Sequence, residues 1–143
     1  LVDSFEIKMK QKGIEITYDF GNDKSIFVNA DNFRITQVMS NLIVNSLNYG
    51  VENGTIEIVT KNLSKEKLLV RVIDNGQGIP EDDLPRIFER FYRVDKTRNR
   101  QEGGSGLGLA IVKHIVEAHN EIVYVESSLN VGSEFSFTLT KSN

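Results

Sequence analysis

The sequence predicts a single α/β domain. Three observations carry that prediction. Segments in which apolar residues recur with the 3.6-residue period of a helix are interleaved with segments that alternate apolar and polar. A chain of 143 residues suffices for one core, and 39% hydrophobic with 26% charged residues is a globular composition. Two glycine clusters, DNGQGI at 74–79 and GGSGLGL at 103–109, interrupt the pattern, and the other elements are arranged around them.

In chain order, Leu1, Val2, Phe5 and Met9 share one helical face and Gly13 stops that helix. Ile14, Ile16, Tyr18 and Phe20 alternate with polar neighbours as a strand does, Gly21–Asp23 is a turn, and residues 26–28 predict a short second strand. From Asp31, a candidate N-cap, to Tyr49 before Gly50, the pattern is helical. Ile35, Val38, Met39, Leu42, Ile43 and Leu47 fall on one arc, and Arg34, Gln37, Asn41, Asn45 and Asn48 lie opposite. Three asparagines are a poor choice for a solvated helix face, since each gives up roughly half a kcal/mol of helix propensity. Either this is a surface face of weak composition, or its amide oxygens point together at a hydrated cation or at phosphates.

Residues 56–62 and 68–75 read as a hairpin joined by LSKEK. Leu69 and Ile73 beside Val70 and Val72 predict burial on both faces of the second strand, which delivers Asp74 at its end. A carboxylate there is a turn cap before Asn75-Gly76, or it is functional, because an unpaired buried acid is costly. Pro80 followed by Glu81, Asp82 and Asp83 opens a helical stretch with an apolar side of Ile87, Phe88, Phe91 and Tyr92. Arg86, Arg90, Arg93, Lys96, Arg98 and Arg100 face only Glu89 and Asp95, and the segment DKTRNRQEGGS has no periodicity. It is a solvated loop or a flexible lid over anionic phosphates. Residues 107–119 resume a helix, and 123–127 and 134–139 are strands around the turn LNVGS.

The second glycine cluster runs into a helix, which makes it a candidate phosphate cradle of free N–H groups. It is not a P-loop, because Leu109 and Ala110 stand where Lys and Ser or Thr are needed. The dinucleotide pattern fails at Leu109 or Ile111, where its last glycine would fall. With 17 basic and 20 acidic residues the net charge of −3 exerts no global pull on nucleic acid or an anionic membrane. The absence of cysteine excludes disulfides and thiolate metal sites. No apolar run is long enough to span a bilayer and no signal peptide is recognisable. The start without methionine predicts a piece of a longer protein.

Taken in order, these motifs resemble those of the catalytic and ATP-binding domain of bacterial sensor histidine kinases, in the GHKL superfamily, over nearly the whole of residues 1–143. The N box is NLIVNSLNY (41–49), the G1 box DNGQG (74–78), the F box FERFYR (88–93), the G2 box GSGLGL (104–109), and GSEF (132–135) is a last glycine motif. The resemblance implies a two-layer α/β sandwich with a mixed sheet, helices on one face and a flexible ATP lid. It implies Asp74 as acceptor for the adenine amino group, Gly76 and Gly78 where the G1 backbone nears the base, and Ile79 packed close to it. Asn45 would ligate a Mg²⁺ bridging phosphates, with Asn41 nearby as a catalytic residue. Gly104, Ser105, Gly106, Leu107 and Gly108 would cradle phosphate, while Arg93, with Lys96 or Arg98, would offset γ-phosphate charge. Asn48 departs from the family, which often has Lys or Arg there, so Arg34 or a lid cation is expected to compensate. Glu121 stands where glycine is frequent and reads as an ordinary turn variant.

What the resemblance implies about function is transfer of the ATP γ-phosphate to a histidine on a separate helical dimerisation domain, with a response regulator downstream. The parent would be anchored in the membrane, with this domain cytoplasmic, monomeric in isolation and touching neither membrane nor nucleic acid. His114 and His119 are followed by Ile115 and Asn120 rather than an acid, and structural roles are expected for both. One alternative is an ATPase resembling the gyrase B subunit or a mismatch-repair protein, although those place Glu as general base where this chain has Asn41. Another is a nucleotide-sensing module without transfer chemistry.

Overall fold

The computed structural model describes residues 6–20, 28, 30–92 and 107–142. Its elements are α1 (Glu6–Lys12), β1 (Glu15–Asp19), α2 (Asn32–Asn48), β2 (Thr55–Asn62), β3 (Lys67–Asp74), α3 (Gly108–Ala118), β4 (Val123–Ser128) and β5 (Gly132–Thr140), with a 3-10 helix at Glu81–Arg86. The five strands form one mixed sheet in the order β1-β2-β3-β5-β4. Only β1 and β2 run parallel; the β2–β3, β3–β5 and β4–β5 pairs are antiparallel.

Period two sorts the sheet into two faces. Ile56 and Ile58 of β2, Leu68, Val70 and Val72 of β3, and Phe135, Phe137 and Leu139 of β5 share one side and are buried. They meet Val38, Leu42, Ile43 and Leu47 of α2 and Val112, Ile115 and Val116 of α3 in a single core. The apolar arc of α2 is thus the one expected from its spacing, and α2 and α3 pack together on that face. Asp31 caps α2 through Oδ1, which accepts the Arg34 N–H at 3.2 Å. His119 ties the two helices at one end: its Nε2 accepts the Asp31 N–H (3.1 Å) and its Nδ1 donates to the Ile115 carbonyl (2.8 Å). That is a structural role, as expected from sequence.

The two-sided burial expected for β3 is not found. Leu69 and Ile73 point away from the helices and are only half-buried, among Glu57, Glu134 and the Arg71 guanidinium, which pairs with Glu134 through both Nε (3.0 Å) and Nη2 (2.7 Å). Of the strand expected at 26–28 only Val28 lies within the described residues, where it makes an isolated bridge to Lys141. Pro80 precedes a 3-10 rather than an α-helix. Pro85 lies inside it, with no N–H to donate and a ring that crowds the preceding turn. Ile87 is buried, Phe88 meets Phe135 edge to face at 6.3 Å and Tyr92 packs against the core, but Phe91, 67% exposed with φ +66°, leaves that apolar side.

Glu121 is more than a turn variant. Its buried carboxylate accepts Lys67 Nζ (2.8 Å) and Thr138 Oγ1 (2.7 Å) on Oε1 and Thr140 Oγ1 (2.8 Å) on Oε2, which pins the α3–β4 connection to the sheet. Burial alone would raise its pKa. The hydrogen bonds from Lys67, Thr138 and Thr140, with the Lys67 charge, outweigh that and hold it below the ordinary 4.5. A depressed carboxyl contributes stability above its unfolded pKa and loses it as pH falls through the folded value. Glu121→Gln is therefore expected to cost about 1–2 kcal/mol at neutral pH, discounted for the 40% exposure of the Lys67 side chain. Urea unfolding of the two proteins should converge as pH drops below 4.5.

Candidate functional site

Asp74 is the last residue of β3, and the alternation that buries Val70 and Val72 turns its side chain to the same face, leaving it 8% exposed. Oδ1 accepts the Gly76 N–H at 2.9 Å and Oδ2 accepts the Ser46 hydroxyl at 3.0 Å. Burial raises its pKa above the ordinary 3.8, against hydrogen bonds from the Gly76 amide, the Ser46 hydroxyl and the Ser133 amide. A carboxylate has roughly four acceptor positions. The turn-cap reading is thus correct as far as it goes, and among the described residues these three donors leave one of the carboxylate's roughly four acceptor positions.

The loop after Asp74 is shaped by backbone contact. A Cβ on Gly76 would stand 2.5 Å from the Tyr49 carbonyl oxygen. Gly78 has φ +75°, and a Cβ there would stand 2.1 Å from the Ser128 carbonyl oxygen. The β4–β5 hairpin by itself demands glycine there, a reason that adds to the approach to a base expected from sequence. Ile79, half-buried against the core, donates its N–H to Ser127 Oγ (2.8 Å), and Ser127 also meets the Gly132 carbonyl (3.0 Å) and Ser133 Oγ (2.8 Å).

Across from this loop, α3 begins at Gly108 with Leu107 as N-cap and no side-chain cap. Its first intrahelical bond runs from Ile111 N to Leu107 O (3.0 Å), so the amides of Gly108, Leu109 and Ala110 point out of the helix start. Among the described residues, a Cβ on Gly108 would meet nothing within 4 Å. The contrast with Gly76 and Gly78 is informative: packing among the described residues does not ask for glycine at 108. Asn41 Nδ2 donates to the Gly108 carbonyl at 3.4 Å, which joins the asparagine face of α2 to this helix start. Asn45, one turn along, is half-buried on the same helix, and its neighbour Ser46 holds Asp74. Asn48, by contrast, is 7% exposed and does not extend that open face.

These placements fit a nucleotide with a metal ion. Buried acceptor, open helix start and amide-bearing helix are brought together by the α2–α3 and α2–β3 packing. Among the described residues no three carboxylates or imidazoles converge. A single amide oxygen suits a Mg²⁺ that keeps several waters and takes further ligands from phosphates. Arg93, Lys96, Arg98, Gly104, Ser105 and Gly106, and with them the segment expected to be a lid, lie outside the described residues. Arg34 stands eleven residues before Asn45, about 16 Å along the helix axis, where it meets Gln37 and Phe33. It serves the start of α2, not the end where Asn48 lies.

Sequence reasoning missed Ser46, Ser127 and Ser133. For Ser46 a signal existed: it falls on the apolar arc four residues after Leu42 and is fully buried, and a lone hydroxyl there needs a partner.

Residues 30–143 match the family model described as histidine kinase-, DNA gyrase B-, and HSP90-like ATPase. The chain is 40% identical over 140 residues to the sensor histidine kinase WalK of Bacillus subtilis (strain 168), covering 97% of this chain and 23% of that protein. It is 44% identical over 117 residues to the sensor protein kinase WalK of Staphylococcus aureus, covering 81% of this chain and 28% of that one. The chain thus spans about a quarter of the length of these relatives. The catalytic domain of histidine kinase ThkA superposes with a TM-score of 0.80 at 31% identity, over 97% of this chain and 86% of that one. Full-length ShkA in complex with AMPPNP gives 0.82 at 28% identity, over 98% of this chain and 28% of that one. ThkA in complex with response regulator TrrA gives 0.76 at 28%, over 98% and 38%. Among the described residues no helix is long and apolar enough to cross a membrane.

Proposed function

The chain belongs to the histidine kinase-, DNA gyrase B-, and HSP90-like ATPase family, and on that premise we propose that it is the ATP-binding catalytic domain of a two-component sensor histidine kinase. The observation that carries the reading is Asp74: a buried carboxylate, oriented by Ser46 and Gly76, with an acceptor position to spare. An exocyclic amino group of adenine satisfies that position. Guanine would bring a carbonyl oxygen against the carboxylate and be rejected.

In this reading the amides at the start of α3 bind phosphate oxygens, and Gly108 lets them approach. Asn45 supplies its amide oxygen to Mg²⁺, whose charge offsets that of the phosphates. Arg93 and Lys96, at the start of the basic segment, balance negative charge at the γ-phosphate, with Gly104, Ser105 and Gly106 completing the cradle. A histidine of a helical dimerisation domain attacks the γ-phosphorus as the bond to the bridging oxygen breaks, forming a phosphorus–nitrogen bond and releasing ADP. Such transfer depends mainly on positioning and electrostatics. The acceptor domain, a response regulator downstream and a membrane-anchored parent belong to this proposal.

Hydrolysis is the weaker reading. The amide of Asn41 donates to the Gly108 carbonyl and cannot take a proton from water as a glutamate would. The deciding experiment mixes the chain with a helical histidine-bearing hairpin from a relative, radiolabelled ATP and Mg²⁺. Acid-labile, base-stable phosphate on the hairpin is expected; phosphate released only into solution would favour the hydrolase. Asn45→Ala is expected to remove the Mg²⁺ dependence of ATP binding, read as equal affinities with and without chelator.

A further inference from the structure

We infer that Lys12 is a positioning residue for the nucleotide site: its ammonium reaches from α1 onto the C-terminal carbonyls of α2 and so fixes the backbone against which the Asp74 loop is built. The last carbonyls of a helix have no partner within it. Here Lys12 Nζ donates to the carbonyls of Leu47 (2.8 Å) and Asn48 (3.0 Å), across 35 and 36 residues of sequence. The next carbonyl, that of Tyr49, accepts the Gln77 N–H at 3.0 Å. Three consecutive carbonyls at the end of α2 are thus held, two by α1 and one by the loop that follows Asp74.

The route from Lys12 to the carboxylate has little slack. The Lys12 carbonyl accepts the Asn53 N–H (2.7 Å), and Asn75 Oδ1 accepts the Thr55 N–H (2.8 Å), so the turn between α2 and β2 is gripped from both sides. A Cβ on Gly76 would lie 2.5 Å from the Tyr49 carbonyl oxygen, which means the two backbones are already in contact. The Gly76 N–H in turn holds Asp74 Oδ1 at 2.9 Å. A shift of Tyr49 therefore moves Gly76, and with it the acceptor geometry of Asp74. A cation is what this position favours, since the helix C-terminus concentrates partial negative charge. Position 48 supplies none and Arg34 is at the other end of the helix, so α1 provides it.

The consequence for ATP rests on the function proposed above; the mechanical coupling does not. Hydrogen exchange on the full unliganded chain therefore comes first, comparing wild type, Lys12→Met and Lys12→Arg. In Lys12→Met the Gly76 and Gln77 amides are expected to exchange roughly ten-fold faster, while Val72 and Phe137 in the middle of the sheet keep wild-type rates. Lys12→Arg restores the wild-type pattern. In calorimetric titration with ATP and Mg²⁺, Lys12→Met is expected to bind about five-fold more weakly and Lys12→Arg as wild type. Wild-type exchange at Gly76 and Gln77 in Lys12→Met, or acceleration spread equally to Val72 and Phe137, overturns the inference. If the wild type itself fails to bind ATP, the proposed function falls, and the exchange pattern still decides the role of Lys12.

Discussion

Asp74→Asn is expected to weaken ATP binding by about 10- to 150-fold while leaving the unliganded fold as stable as wild type or more so. The affinity figure corresponds to one charge-assisted hydrogen bond of about 1.5–3 kcal/mol. The stability half follows from the sign of the pKa shift. Burial raises the Asp74 pKa above 3.8. A carboxyl with a raised folded pKa favours folding when protonated, so its contribution is full below 3.8 and is lost as pH rises through the folded value. At neutral pH the ionised group is a cost to the fold. An asparagine keeps an oxygen for the Gly76 amide and turns its NH₂ to Ser46, whose hydroxyl then accepts. Urea unfolding at neutral pH and titration with ATP and GTP measure the two halves. A purely structural Asp74 would give the opposite pair of results: lower stability, unchanged affinity.

Gly78→Ala and Gly108→Ala should separate the two glycine clusters by what each is for. At Gly78 an alanine would sit at φ +75° with its Cβ 2.1 Å from the backbone oxygen of Ser128, which cannot swing away as a side chain can. The left-handed conformation alone costs about 1–2 kcal/mol, and the clash takes the expected loss to about 3 kcal/mol or more. Thermal unfolding should fall by roughly 10 °C. At Gly108 the added methyl meets nothing within 4 Å among the described residues and the residue begins a helix, so stability should hold or rise by up to about 1 kcal/mol. ATP affinity should nevertheless drop, because the methyl occupies the space assigned to phosphate. A Gly108→Ala protein that bound ATP as well as wild type would remove the helix start from the site.

Much of the fold was legible because its signals are local. The apolar arc of α2, the Asp31 cap and the alternation of β5 each depend on residues within a turn or a strand of one another, and the structure has them where the spacing puts them. What was not legible depends on distant partners. Glu121 reads as a turn residue until Lys67, Thr138 and Thr140 are folded around it. Lys12 reads as one more lysine on a short helix, because the carbonyls it meets come from 35 residues away. Pro85 is a local signal too, since its ring excludes a regular α-helix there. At the candidate site, the order of the motifs brought out Asn41, Asp74, Gly76 and Gly108, and the packing of α2 against α3 and β3 assembles them. The hydroxyls behind them could be found only from the buried position of Ser46, a weaker signal than a glycine cluster.

The most direct measurement is calorimetric titration of the folded wild-type chain with ATP and with GTP, each at millimolar nucleotide with Mg²⁺. Saturable binding at one site per chain, with ATP clearly preferred, is the result expected from an amino group at the spare acceptor of Asp74. No heat with either nucleotide, or equal affinity for both, would contradict it.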